Sequence, residues 1–158
     1  MKKFNLLMLV LFCLTALTFN AFGQETAPKK NAKFDKEMAQ RLGANKNGMK
    51  QYVFVTLKRG KLKFEEKERA ALLKGHMDFI GRMAKERKLV LAGPFGDDKD
   101  VRGIYIFDVK SVEEVQKLVE IDPSIKAGLF EVELRPWYGT AAVSEIPNIH
   151  EKITEEEM

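Results

Sequence analysis

Few side chains in this sequence have the chemistry of a catalyst. It contains two histidines, His76 and His150, and one cysteine, Cys13. His76 follows Leu73 by three residues and precedes Ile80 by four, which puts it on or beside the apolar stripe of an amphipathic helix. An imidazole there serves either as a satisfied structural group or as an acid–base group that titrates near neutral pH. Asp122 precedes Pro123, the pattern of a helix start with Asp at the N-cap and Pro at the first helical position. A capping carboxylate keeps one oxygen free for an imidazole. A His–Asp couple would orient the ring and raise its basicity, as general acid–base work requires. His150 sits in an acidic segment and reads as solvated. Two histidines 74 positions apart do not make a zinc or iron site. Gly96-Asp97-Asp98 lacks the lysine and the spacing of a phosphate loop. No metal and no cofactor are expected.

The elements that must position His76 and Asp122 follow from periodicity. Gln51 to Lys58 is β-branched and aromatic and reads as a strand. Glu65 to Arg87 reads as a helix with Leu72, Leu73, Met77, Ile80 and Ala84 at helical intervals, acidic in its first turn and basic in its last. Lys88 to Pro94 is a second strand and Arg102 to Val109 a third, separated by a polar turn. Ser111 with Glu114 forms a capping-box pattern and opens a helix that runs to about Ile121. Asp122-Pro123 begins a one-turn helix that Gly128 ends, and Leu129 to Arg135 is the last strand. The order β-α-β-β-α-β predicts an α+β, ferredoxin-like antiparallel sheet with two helices on one face. Strands one to three are apolar on both faces, and two helices cover only one. The other face therefore calls for a partner, and a second copy is the simplest, giving a homodimeric α+β barrel.

Composition narrows the class. The 158 residues fit one domain, with 45% hydrophobic and 32% charged side chains, as in globular proteins. Lys2-Lys3, the uncharged run from Leu6 to Phe19 and Ala21-Phe22-Gly23 have the form of a signal peptide cleaved before Gln24. The apolar run is shorter than the ~20 residues of a membrane span. Cleavage would leave no membrane span and no cysteine, and would put the protein in the periplasm or outside the cell. It would also leave 25 basic and 23 acidic side chains, too balanced a charge to favour nucleic acid. Residues 24–50 read as a flexible polar leader with a charge of +4, although Phe34 to Leu42 has the pattern of a short amphipathic helix. Residues 140–158 read as an acidic, solvated tail. The opposite signs of leader and tail permit a contact between them, but separate segments are the expected state. The domain itself is expected over 51–139.

The run from His76 to Pro94, HMDFIGRMAKERKLVLAGP, resembles the first half of the YciI-like (YCII-related) family, where a histidine on helix one precedes a strand ending in Ala-Gly-Pro. Asp122-Pro123, Ala127-Gly128 and Arg135-Pro136-Trp137 are similar to that family's second half. The resemblance covers about Tyr52 to Trp137. It implies a dimeric α+β barrel and a pocket in each subunit where His76 meets Asp122 as the catalytic pair. Gly93 and Pro94 would border that pocket as substrate-binding residues. Arg135 is the candidate cation for an anionic substrate, with an ion pair to Glu131 or Glu133 as the alternative. The resemblance implies an acid–base enzyme acting on an unidentified small molecule by proton transfer, elimination or isomerisation. The alternative is a non-catalytic ligand-binding or dimerisation module of the cell envelope.

Overall fold

The computed structural model describes residues 31–155. The proposed signal peptide and the start of the leader lie outside them. The chain forms two units, Met1–Phe34 and Asp35–Met158. In the first, the Phe34 amide donates to the Asn31 carbonyl at 3.2 Å and closes a turn. Among the described residues every helix and strand lies in the second. They are α1 (Lys36–Arg41), β1 (Met49–Arg59), α2 (Glu66–Lys85), β2 (Leu89–Pro94), β3 (Val101–Phe107), α3 (Val112–Val119), α4 (Pro123–Lys126), β4 (Phe130–Thr140), a 3₁₀ turn (Ala141–Glu145) and α5 (Ile146–Ile153).

The four strands form one antiparallel sheet in the order β2-β3-β1-β4, the ferredoxin-like arrangement. Its two faces follow from strand alternation. Val53, Val55 and Leu57 of β1 pair with Phe107, Tyr105 and Gly103 of β3 and with Pro136, Leu134 and Val132 of β4. These residues face α2 and α3, where Phe79, Met83, Val115 and Val119 complete the core. Each such side chain contributes about 1.5–3 kcal/mol on burial. The Ser111 hydroxyl accepts the Glu114 amide at 3.2 Å and starts α3 where the capping pattern predicts.

The second face departs from expectation because the chain supplies part of its own cover. Instead of a solvated tail, residues 141–153 continue as a 3₁₀ turn and α5, which pack on β2. Ala141 is buried, and Val143 packs on a cluster of Tyr52, Val90 and Ile106. A polar knot ties the segment down. Lys50 Nζ lies 2.7 Å from Asp108 Oδ1, the Ser144 hydroxyl donates to Asp108 Oδ2 at 2.6 Å, and the Tyr52 hydroxyl lies 3.0 Å from both Ser144 Oγ and the Thr140 carbonyl. Charge alone suggests a free acidic tail, but this stretch also carries Val143, Ile146 and Ile149 at intervals of three.

The leader is corrected in the same way. It holds α1, capped by Asp35 Oδ1 on the Met38 amide at 2.9 Å, and β1 begins within it at Met49. Leader and C-terminal segment meet through Arg41 Nη1 and Glu145 Oε2 at 2.6 Å. Arg87 reaches Glu151 on α5 at 2.7 Å. Exposed pairs of this kind add at most about 1 kcal/mol each, so the apolar contact and the Asp108 knot carry the attachment.

Truncation after Thr140 would uncover Tyr52 and Val90 and strand the Lys50–Asp108 pair. The expected loss is at least ~2 kcal/mol in urea unfolding. Equal midpoints for the full and truncated chains would show that the segment does not stabilise the sheet.

Candidate active site

The site begins with a glycine. Gly75, inside α2, faces Pro123, and a Cβ there would lie 2.9 Å from Pro123 Cγ. Glycine in a helix interior costs about 1 kcal/mol relative to alanine. Here it lets α4 pack close against α2, one residue from His76. At the other end of α4, Gly128 adopts φ +79 and turns the chain into β4. The Gly60 amide donates to the Leu129 carbonyl at 2.9 Å, and a Cβ on Gly60 would collide with the Gly128 carbonyl.

Asp122 and Ser124 are fully buried, and the His76 side chain is 12% exposed. Asp122 divides its two oxygens as its double role requires. Oδ1 accepts the Ser124 amide at 2.9 Å and the Ser124 hydroxyl at 2.7 Å, capping α4. Oδ2 lies 2.7 Å from His76 Nδ1. A carboxylate only accepts, so Nδ1 carries the proton and donates it. Ser124 Oγ is also 3.0 Å from Nδ1, but its proton is committed to Asp122. This network selects the Nδ1–H tautomer in neutral histidine and leaves Nε2 with a free lone pair.

Tyr105 reaches the imidazole from the sheet. Its hydroxyl lies 3.1 Å from Nε2 and 3.3 Å from Nδ1. An atom nearly equidistant from both nitrogens lies off the lone-pair axis of either, so Tyr105 does not occupy the direction in which Nε2 would take a proton. Phe130 packs on the ring at a centroid distance of 5.1 Å and tilts by 55°. Together Phe130, Tyr105 and Asp122 hold the imidazole in one orientation.

The electrostatics match these roles. Burial by itself would raise the Asp122 carboxyl, but hydrogen bonds from His76 and Ser124 outweigh it and hold the group below its ordinary value. Burial, and then the negative charge of Asp122, push the Tyr105 phenol far above its usual range, so it stays protonated. Every buried side-chain nitrogen and oxygen among the described residues has a hydrogen-bond partner. No group of three or more metal-ligating side chains gathers among the described residues.

The remaining expected site residues fall elsewhere. Gly93 and Pro94 pair with Ile104 and Gly103 of β3, next to Tyr105 in the ladder. Arg135 lies on the opposite sheet face from Tyr105 and His76. It pairs with Glu133, which also binds Lys58 at 2.7 Å. Of the two readings left open for Arg135, the ion pair is the one found. Ser124, Tyr105 and Phe130 were missed by sequence reasoning. A signal existed for Tyr105, because a tyrosine on the buried face of an apolar strand needs a partner for its hydroxyl. Ser124 follows the capping Asp-Pro, and its hydroxyl points back to the cap.

Because the Asp122 carboxyl is depressed in the folded state, its contribution to stability is present above the ordinary carboxylate range and is lost as pH falls through the folded value. Asp122→Asn should therefore destabilise the protein at neutral pH by roughly 1–3 kcal/mol. The gap from wild type should narrow as the medium is acidified through and below that range. Urea unfolding at several pH values measures this, and a gap independent of pH would show that the carboxylate charge is not what matters.

Comparison with known proteins adds a family. The family model of the YCII-related domain matches residues 49–138, more than half of the chain. The Uncharacterized protein YjpA of Bacillus subtilis (strain 168) is 32% identical over 63 residues, which is 40% of this chain and 72% of that protein. Among solved structures, 5-chloro-2-hydroxyhydroquinone dehydrochlorinase (TftG) from Burkholderia phenoliruptrix AC1100, in complex with 2,5-dihydroxybenzoquinone, is similar at 27% identity. That match has a TM-score of 0.41 and covers 54% of this chain and 92% of that one. The resemblance to this family is borne out: the chain belongs to the YCII-related domain family.

Proposed function

We propose that this protein is an exported enzyme for a small molecule, using His76 and Asp122 for cofactor-free proton transfer of the elimination or isomerisation type. One observation carries this reading: the 2.7 Å contact of Asp122 Oδ2 with His76 Nδ1, which leaves Nε2 with its lone pair uncommitted. In such a reaction Nε2 takes a proton from carbon, and Asp122 stabilises the imidazolium that forms. The imidazolium then returns the proton to another atom in an isomerisation, or passes it on after a leaving group departs in an elimination. Tyr105, neutral throughout, would offer its hydroxyl proton to an oxygen of the substrate. Gly93 and Pro94 would border the substrate through β3.

General acid–base catalysis is worth about 10²–10⁴ in rate, and His76→Ala should lose that much. Asp122→Ala should lose activity as well, through the tautomer and orientation of the ring. Unchanged turnover in both variants would remove the mechanism. A second reading, a non-catalytic binding module, draws on the 12% exposure of the His76 side chain, which leaves little room for a reacting group. An NMR titration showing His76 uncoupled from Asp122, with no turnover in a substrate screen, would favour it.

The C-terminal segment leaves Phe54, Leu91 and Ile104 half-buried on the second sheet face. A homodimer formed through this strip would complete the cover, and light scattering at micromolar concentration should give the mass of a dimer. Among the described residues no helix is long and apolar enough to cross a membrane. Export with cleavage before Gln24 would release the sheet domain together with its leader and C-terminal segment, and mass spectrometry of the mature N-terminus tests it.

A further inference from the structure

A cleft of about 460 Å³ opens beside the His76 site, between the β1–α2 loop, the β2–β3 turn and the start of β4. That is the size of a small-ligand pocket, ~300–1,000 Å³. Five basic side chains line it, Arg59, Lys61, Lys63, Arg69 and Arg102, with Asp98 as the one carboxylate among the lining residues. Asp98 is shared by two arginines, at 2.5 Å from Arg59 and 2.8 Å from Arg102. Lys61 reaches Glu131 outside the cleft at 3.6 Å. Lys63 and Arg69 form no ion pair among the described residues. Crowding cations around a concavity is unfavourable unless a counter-charge enters, and the low-dielectric walls concentrate the field on whatever occupies it.

The apolar side of the cleft defines the rest of the ligand. Leu62, Phe64, Leu129 and Phe130 line it with the cations. Phe130 is the residue whose ring packs on His76 at 5.1 Å, so the cleft and the catalytic imidazole share a wall. Water alone would not exploit an aromatic surface ringed by cations. A flat apolar body carrying an acid group would satisfy both, and arginine pairs with carboxylates through two parallel hydrogen bonds.

We propose that this cleft binds a small carboxylate with an aromatic or similarly flat body, the acid group against Lys63 and Arg69 and the body against Leu129 and Phe130. Neither His76 nor Tyr105 lines the cleft, so the acid is a ligand bound beside the His76 site rather than the molecule Nε2 would deprotonate, and Phe130 is the contact through which its arrival reaches the imidazole.

Benzoate and its uncharged counterpart benzyl alcohol, titrated into the full chain by calorimetry and NMR, test the proposal. Benzoate should bind at least tenfold more tightly, and its affinity should fall as salt is raised, since screening shortens to about 3 Å at 1 M. Lys63→Ala combined with Arg69→Ala, both at exposed positions, should weaken benzoate about tenfold or more with an unchanged melting temperature. The His76 ring resonances should shift on binding. Equal affinity for the two probes, or no effect of salt, overturns the proposal even if the double variant fails to fold. His76→Ala separates the two layers. Benzoate binding that survives in His76→Ala supports the cleft whether or not the protein catalyses proton transfer. Loss of turnover in His76→Ala without any benzoate binding to the wild type removes the cleft and leaves the acid–base reading standing.

Discussion

The site depends on a single buried carboxylate. Asp122 has no exposed surface, and an ionised group in that position is tolerated only when its oxygens are fully engaged. Three donors meet that requirement: the Ser124 amide, the Ser124 hydroxyl and His76 Nδ1. Removing His76 would leave that charge to Ser124 alone, with Oδ2 buried and unsatisfied, at a cost of roughly 1–3 kcal/mol. The same need that closes α4 onto α2 therefore fixes the histidine tautomer. The carboxylate that caps α4 is also the one that orients the imidazole, and Tyr105 is kept neutral first by its burial and then by the same negative charge.

The sheet separates two kinds of business. Its helix-facing side holds Tyr105, Phe130 and the core, and the His76 site grows out of that side. Its second side is covered in part by the chain's own C-terminal segment, drawn down by Val143 and the knot around Asp108. Cations are divided accordingly. Lys58 and Arg135 share Glu133 on the second side, whereas the unspent positive charge collects at the sheet end near Phe130. An arginine that looks free in sequence can be paired along its own strand, and two exposed cations, Lys63 in a loop and Arg69 on α2, can be the ones left over.

Local signals made most of the fold legible. Strand alternation, the helical stripe of α2, the Ser111 cap and the Asp-Pro start of α4 all depend on neighbours within a few residues, and each appears where expected. The family motifs were legible for the same reason, as was the division of labour at Asp122, since a cap uses one oxygen. The register of β2 was less legible. A shift between Leu89 and Leu91 sends Leu89 to the helix core while Val90 and Leu91 both join the second face, and no alternation rule anticipates that. The C-terminal segment was misread because its acidic charge masked three apolar residues, Val143, Ile146 and Ile149, at helical spacing.

By itself, then, the sequence determined element order, strand pairing class and the two residues most capable of acid–base chemistry, because these follow from local periodicity, capping and residue type. Only the tertiary structure decided their neighbours. It brought Tyr105 and Phe130, from two different strands, against the His76 ring, set Arg135 on the far face, and gathered cations from two strands, a loop and a helix around one cleft. Such neighbours are set by long-range packing, where a glycine such as Gly75 allows one backbone to approach another and a single residue of register moves a side chain across the sheet. The His–Asp pair was therefore visible as two residues, and became a site only when the fold supplied the walls around it.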